Sequence, residues 1–162
     1  MIVRSPARGK IMRRFIIVLA ALLFSLPALA EGLPGSTTLS SAKSFDALVT
    51  SLDAAVKAEG FFVVTRASAS IGASRRGVRI PGNMVIGVYR NDFAVRMLDA
   101  SVASGIEAPL RFYVTENADG TASLTYRLPS AVFAPYAGGD ALQQMAAELD
   151  AHWARIAAAA TK

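Results

Sequence analysis

Residues 110–128 read LRFYVTENADGTASLTYRL, two runs of alternating apolar and polar residues around Asn117-Ala118-Asp119-Gly120. Alternation with a period of two is typical of strands that bury one face. The turn fits a three-residue hairpin loop, a type I turn followed by Gly120 in the left-handed conformation. That loop fixes the register of the two strands. The expected inward pairs are Leu110 with Leu128, Phe112 with Tyr126 and Val114 with Leu124, and the outward pairs are Arg111 with Arg127, Tyr113 with Thr125 and Thr115 with Ser123.

Amphipathic helices are predicted on both sides of this hairpin. The first runs from about Phe45 to Glu59, with Ser44 as its cap and Gly60 as its stop. The second has Asp92 as its cap and runs to about Ala103. The third has Asp140 as its cap, and its apolar stripe consists of Leu142, Met145, Leu149, Trp153 and Ile156.

Two further strands are predicted, Phe61–Thr65 and Met84–Tyr89. Both are apolar at consecutive positions, which is typical of strands that are covered on both faces. Residues 67–83 contain three glycines and no clear period, so we predict mostly loop there. Together these elements indicate an α+β two-layer domain, in which an antiparallel sheet of four or five strands carries helices mainly on one face. Residues 36–40 are the candidate for the fifth strand.

The first 30 residues have the pattern of a cleavable signal peptide. A basic segment ends in Arg13-Arg14, an apolar run follows from Phe15 to Phe24, and Ala28-Leu29-Ala30 forms a small-x-small cleavage site. A membrane-spanning helix needs about 20 apolar residues, more than this run contains. We therefore expect a signal peptide at 1–30 with Met1 or Met12 as the start, a linker and possible first strand at 31–43, and a single domain at 44–162. An uncleaved membrane anchor is the alternative.

The charge of the mature chain argues against nucleic-acid binding. Five of the 17 basic residues and none of the 12 acidic residues lie in the first 30 positions, so the remainder has no net charge. A nucleic-acid-binding domain carries its surplus of lysine and arginine on the folded part.

Cysteine is absent, which excludes disulfides, thiolate metal ligands and a cysteine nucleophile. With about 130 residues, the domain is large enough to be held together by its core alone.

The order of the elements resembles a bacterial family known as domain of unknown function 302, over roughly residues 36–136. The matching pieces are Gly60-Phe61-Phe62-Val63-Val64, Met84 to Asn91, Ala108-Pro109 with the strand at 110–114, Asp119-Gly120, and the strand at 124–128 before Pro129. The chain departs from the family pattern at Asp92, where proline often follows Asn, and at Leu128, where Asp often precedes the proline. The resemblance implies a compact α+β domain that forms homo-oligomers, with no agreed activity to transfer. The location, bacterial periplasm or secreted, is predicted from the signal-peptide pattern.

The single histidine, His152, is the one residue that suggests a metal centre. Met145 precedes it by two turns of the last helix, and such a pair suggests haem or copper. Two turns separate the backbones by about 10 Å, however, whereas the ligand atoms of one metal approach within about 4–5 Å. A structural histidine is therefore favoured. No nucleophile motif is present, and we predict no catalytic residues, metal or cofactor.

Five arginines are the candidates for binding a small anion. Arg75, Arg76 and Arg79 lie in a glycine-punctuated loop that can wrap an anion, although a solvated loop is the alternative. Arg111 and Arg127 face each other across the hairpin, where like charges repel by a few tenths of a kcal/mol or more. An anionic ligand, a carboxylate of the same chain or an acid of a neighbouring subunit would relieve that repulsion, and so would exposure to solvent.

The leading function hypothesis is an exported, non-catalytic accessory or binding module that self-associates through its sheet and binds a small anion at these arginines. The alternatives are a small hydrolase-like enzyme with an unrecognised site and a haem or copper carrier.

The signal-peptide hypothesis predicts that the exported protein begins at Glu31, because Ala28-Leu29-Ala30 places the cleavage after Ala30. Intact-mass measurement of the protein recovered from the periplasm or medium checks this. A mass that retains residues 1–30 would indicate a membrane anchor instead.

Overall fold

A computed structural model describes residues 33–162 of the chain. The predicted signal peptide at 1–30 lies outside the described residues. So does Glu31, the predicted first residue of the mature protein.

Five strands form one sheet in which every neighbouring pair is antiparallel. They are β1 (Ser36–Ser41), β2 (Phe62–Ala67), β3 (Asn83–Tyr89), β4 (Leu110–Glu116) and β5 (Ala122–Arg127), in the spatial order β1-β5-β4-β3-β2. The predicted fold class is confirmed. Residues 36–41 supply the fifth strand, and β1 and β2 are the two edges of the sheet.

The β4–β5 hairpin has the predicted register. Phe112 pairs with Tyr126 and Tyr113 pairs with Thr125, and Gly120 has a φ of 82°. The inward residues of both strands are buried, whereas the outward ones are half-buried or exposed. The alternation therefore separates one face that forms the core from one that does not.

Five α-helices accompany the sheet: α1 (Phe45–Ala58), α2 (Ala69–Ser74), α3 (Asn91–Ala100), α4 (Pro129–Phe133) and α5 (Gly139–Thr161). A 3-10 helix spans Val102–Glu107. The long helix α5 packs against α1, α3 and α4, and α1 packs on β4 and β5. These contacts place the core between the helical layer and one face of the sheet. None of the described helices is long and apolar enough to cross a membrane.

The core is centred on the aromatic rings of α5 and the central strand. Trp153 is 1% exposed and its ring stacks on Phe112 of β4, with the ring centroids 5.4 Å apart. Phe61, which precedes β2, meets the indole edge-on at 5.3 Å. Leu48 and Leu52 of α1 are fully buried in the same cluster.

Some predicted helix boundaries are wrong. Ser44 caps α1 as predicted, but Asp92 does not cap α3: its carboxylate instead accepts hydrogen bonds from the guanidinium of Arg90, the N-cap residue, at 2.8 and 3.0 Å. Helix α5 begins at Gly139, so Asp140 lies in its first turn rather than at its cap. The helix predicted to reach Ala103 ends at Ala100, and the 3-10 helix follows.

The segment predicted as loop, 67–83, contains the short helix α2. Ser68 caps it by accepting a hydrogen bond from the backbone of Ile71 at 3.1 Å. A second anchor is Asn83, whose side chain accepts from the backbone of Ala69 at 2.9 Å. Single serine and asparagine side chains therefore order a helix that is too short to show a period.

The outward side of β2 and β3 is not covered by the helices of residues 33–162. Phe62 is 66% exposed and Val64 is 51% exposed. The pairing of β2 with β3 shifts between Val63 and Thr65, so a bulge interrupts the alternation there. Within the described residues, the helical layer covers only the inward face.

Replacing Trp153 with alanine is expected to lower the free energy of unfolding by about 3–5 kcal/mol, because it leaves a large cavity between α5 and β4. Urea denaturation measures this. The matched control is Ile106→Ala, which removes an 80% exposed apolar side chain from the 3-10 helix and should cost less than about 1 kcal/mol. A similarly small loss for Trp153→Ala would contradict this account of the core.

Candidate functional site

The helices of residues 33–162 leave the outward face of the sheet open. In the middle of the sheet, Tyr113 of β4 lies between Thr125 of β5 and Val85 of β3, and Thr38 of β1 continues the row. The hydroxyls of Thr38 and Thr125 are 2.8 Å apart and hydrogen-bonded. A second row consists of Ser40, Ser123, Thr115 and Asn83. Helix α2 flanks one corner of this face. We call these two rows and the two arginines of the hairpin the outward face.

The two hairpin arginines lie at one end of the outward face. Arg127 pairs with Ser36 and Arg111 pairs with Gly87, and the hairpin register places the two arginines side by side. No side chain larger than glycine fits opposite Arg111, because a β-carbon at Gly87 would lie 2.8 Å from a ring carbon of Pro109. The arginines are therefore at the surface beside a closely packed point of the sheet.

The two arginines differ in their partners. Glu107 places a carboxylate oxygen 3.7 Å from Arg111, and the same side chain accepts a hydrogen bond from the Tyr136 hydroxyl at 2.6 Å. That bond raises the pKa of Tyr136, since Glu107 stabilises the protonated hydroxyl. Arg127 is exposed and forms no ion pair with any described residue. A carboxylate of the chain thus partly offsets one of the two charges and not the other.

The loop arginines lie at the opposite end of the sheet. Arg75 follows α2, Arg76 and Gly77 form the turn after it, and Arg79 leads towards Asn83, the first residue of β3. All three arginines are exposed. Asn83 and Gly87 are four residues apart on one strand, a distance of about 13 Å. The structure therefore does not bring the five predicted arginines into one site.

A charged cluster that the sequence does not reveal joins α1 to α5. Glu59 accepts hydrogen bonds from Nε and Nη2 of Arg155, both at 3.0 Å, and its Oε2 is 2.8 Å from Nδ1 of His152. These partners, Arg155 first and His152 second, hold the pKa of Glu59 below its ordinary value. His152 and Arg155 are each more than 90 residues from Glu59 in the sequence, so no local pattern predicts these contacts.

The geometry of this cluster fits a structural role for His152. Nδ1 also lies 2.8 Å from Nη2 of Arg155, and a guanidinium only donates, so Nδ1 either accepts from Arg155 or donates to Glu59. The imidazole packs edge-on against Phe61 and Phe93, at 5.1 and 5.7 Å. Met145, the other half of the suggested metal pair, is buried in the core. Among the described residues, no group of three or more histidine, cysteine or acidic side chains is placed to hold a metal ion.

Comparison with known proteins identifies the family. A family model described as "Domain of unknown function DUF302" matches residues 36–160, which extends the resemblance through α5. A solved structure described as the crystal structure of uncharacterized conserved protein DUF302 from Bacillus stearothermophilus is similar to this chain, with a TM-score of 0.70 and 19% sequence identity. The match covers 80% of this chain and 100% of that one, and at this identity it shows a shared fold. No curated protein matches the chain. The chain, whose matched segment begins at β1 and ends within α5, therefore belongs to the DUF302 family.

Proposed function

We propose that this protein is an exported, non-catalytic binding module that self-associates through the outward face of its sheet. The observation that carries the proposal is that the described part of the chain covers only one face of a five-stranded sheet. The open face presents Tyr113, 41% exposed, at its centre, and the edge beyond it presents the still more exposed Phe62 and Val64. Export rests on the signal-peptide pattern of the first 30 residues.

The outward face has the size of a small protein–protein interface. Five strands of about six residues span about 24 Å by 20 Å. Because side chains project from the sheet, its accessible area is larger than this flat outline. Small specific interfaces bury roughly 600 Å² per partner, which is a similar area. A second copy of the chain supplies a face of matching size and flatness. Two such sheets pack about 10 Å apart, which brings the two Tyr113 rings close to a twofold axis.

The charges on the hairpin favour one orientation of the two copies. Arg111 and Arg127 lie at one end of β4 and β5, and Asp119 lies in the turn at the other end. Hydrogen bonds from Thr121, through its hydroxyl and its backbone, lower the pKa of Asp119, so this carboxylate stays ionised. A twofold axis in the plane of the sheets and perpendicular to the strands places Arg111 and Arg127 of each copy over Asp119 of the other, at the end of the sheet where the exposed loop arginines Arg75, Arg76 and Arg79 also lie. An axis along the strands would instead bring four arginines together, which is unfavourable.

A small anion is the second candidate partner of the arginines. It is favoured by one observation, the exposed Arg127, which has no ion-pair partner among the described residues. An anion held between Arg111 and Arg127 would offset the charge that Glu107 leaves uncompensated. The loop at Arg75, Arg76 and Arg79 lies too far along the sheet to share that anion.

Sedimentation equilibrium at micromolar to hundred-micromolar concentration tests self-association. We expect a dimer, and we expect Tyr113→Arg to weaken it at least about tenfold, because it places like charges together at the twofold axis. The matched control is Gln144→Arg, the same change of charge at an exposed position of α5 outside the outward face, which should leave the association constant unchanged. A strict monomer at all concentrations would contradict the proposal.

Arg127→Glu distinguishes the possible partners of the arginines. If Asp119 of a second copy faces Arg127, the substitution replaces an attraction with a repulsion and weakens the dimer. If the arginines only repel each other, the same substitution leaves association unchanged or strengthens it. Added phosphate, the probe for a small anion, should strengthen the wild-type dimer only if an anion bridges Arg111 and Arg127.

A further inference from the structure

The connection between β2 and β3, residues 68–82, forms an exposed excursion at one end of the sheet. Residues 71–81 are all exposed apart from Ala73. Three of them carry large apolar side chains that are 39% to 51% exposed, Ile71, Val78 and Ile80. Exposed apolar side chains that lie close together mark a surface that contacts a protein or a membrane.

Hydrogen bonds hold the backbone of this connection at its base and at its tip. At the base, the carboxylate of Glu116 accepts a hydrogen bond from the backbone of Gly82 at 2.7 Å. At the tip, the chain turns back at Gly77, whose φ is 74°, and the backbone of Val78 donates to the carbonyl of Ala73 at 3.1 Å. The side chains of α2 and of the returning segment are therefore held next to each other.

The connection is also basic. Residues 60–91 contain five arginines and no acidic residue. Two of these arginines, Arg66 and Arg90, form ion pairs with acidic residues outside this stretch. Glu116 and Asp119, which lie at the same end of the sheet as the connection, accept hydrogen bonds from backbone N–H groups. Three arginines form no ion pair with any residue of 33–162, namely Arg75, Arg76 and Arg79.

We propose that the connection docks reversibly on an anionic lipid surface, where Ile71, Val78 and Ile80 enter the boundary between headgroups and acyl chains and the three arginines contact lipid phosphates. Segments that bind this boundary combine basic with apolar side chains, as the connection does. A guanidinium pairs with a phosphate through two parallel hydrogen bonds. A free phosphate or a nucleic acid would engage the arginines alone and leave the apolar side chains in water. The combination therefore favours a membrane. The proposal does not rest on self-association.

The chain has no cysteine, so a polarity-sensitive fluorophore can be attached at one chosen site. Val78→Cys places it at the tip of the connection, and Val95→Cys on α3 is the matched control, because the two valines are 51% and 49% exposed. The exported protein is mixed with vesicles of phosphatidylcholine and phosphatidylglycerol in equal amounts, or of phosphatidylcholine alone. We expect the emission of the Val78→Cys label to shift to the blue with the anionic vesicles only. The label of Val95→Cys should not respond to either vesicle.

Arg76→Gln and Lys57→Gln, each added to the labelled Val78→Cys protein, test the role of the arginines. Both remove one positive charge from an exposed position, but Lys57 lies in the last turn of α1, outside the connection. A titration of the label with anionic vesicles gives the affinity. Arg76→Gln should weaken binding about fivefold, the contribution of one basic residue near an anionic membrane, and Lys57→Gln should leave it unchanged.

Three results with vesicles would overturn the proposal: no response of the Val78→Cys label to anionic vesicles, an equal response to phosphatidylcholine alone, or an equal loss of affinity in Arg76→Gln and Lys57→Gln. A blue shift that appears without vesicles as the protein concentration rises would show that a second copy of the chain covers the connection, which would also overturn it.

Discussion

The constraint on which this structure depends is that the helices of residues 33–162 cover only one face of a five-stranded sheet. The stack of Trp153 on Phe112 shows how the covered face is built, because it joins the longest helix directly to the central strand. From that contact, α5 reaches α1 on one side and α3 on the other, and these helices bury the inward residues of the sheet. Nothing in the described residues repeats this arrangement on the outward face.

One-sided coverage explains the composition of the hairpin. Its inward positions are large and apolar, whereas its outward positions are threonine, serine, tyrosine and arginine, side chains that tolerate both water and a protein partner. The outward face is therefore suited to an association that forms after folding. The edge at β2, where Phe62 and Val64 are exposed, continues the apolar part of that surface.

The sequence predicts those parts of the fold that depend on neighbouring residues. The hairpin register follows from alternation and from Gly120, and α1 follows from its stripe and its Ser44 cap. It fails where a competing side-chain contact or the position of a strand in the sheet decides: Asp92 pairs with Arg90 instead of capping α3, and β2 is an edge strand although its residues are apolar. The loop and hairpin arginines lie at opposite ends of the sheet, because Arg79 leads to the start of β3 whereas Arg111 pairs with Gly87 near its end. The Glu59–His152 contact likewise exists only once α1 and α5 pack together.

Hydroxyl-radical footprinting as a function of protein concentration tests the central claim most directly, because it reports which face is covered. Tyr113 on the outward face and Leu98 on α3 are matched, at 41% and 44% exposed. The account predicts that oxidation of Tyr113 falls as the concentration rises through the range of association, while oxidation of Leu98 stays constant. Constant oxidation of Tyr113, or protection of Leu98 in its place, would contradict it.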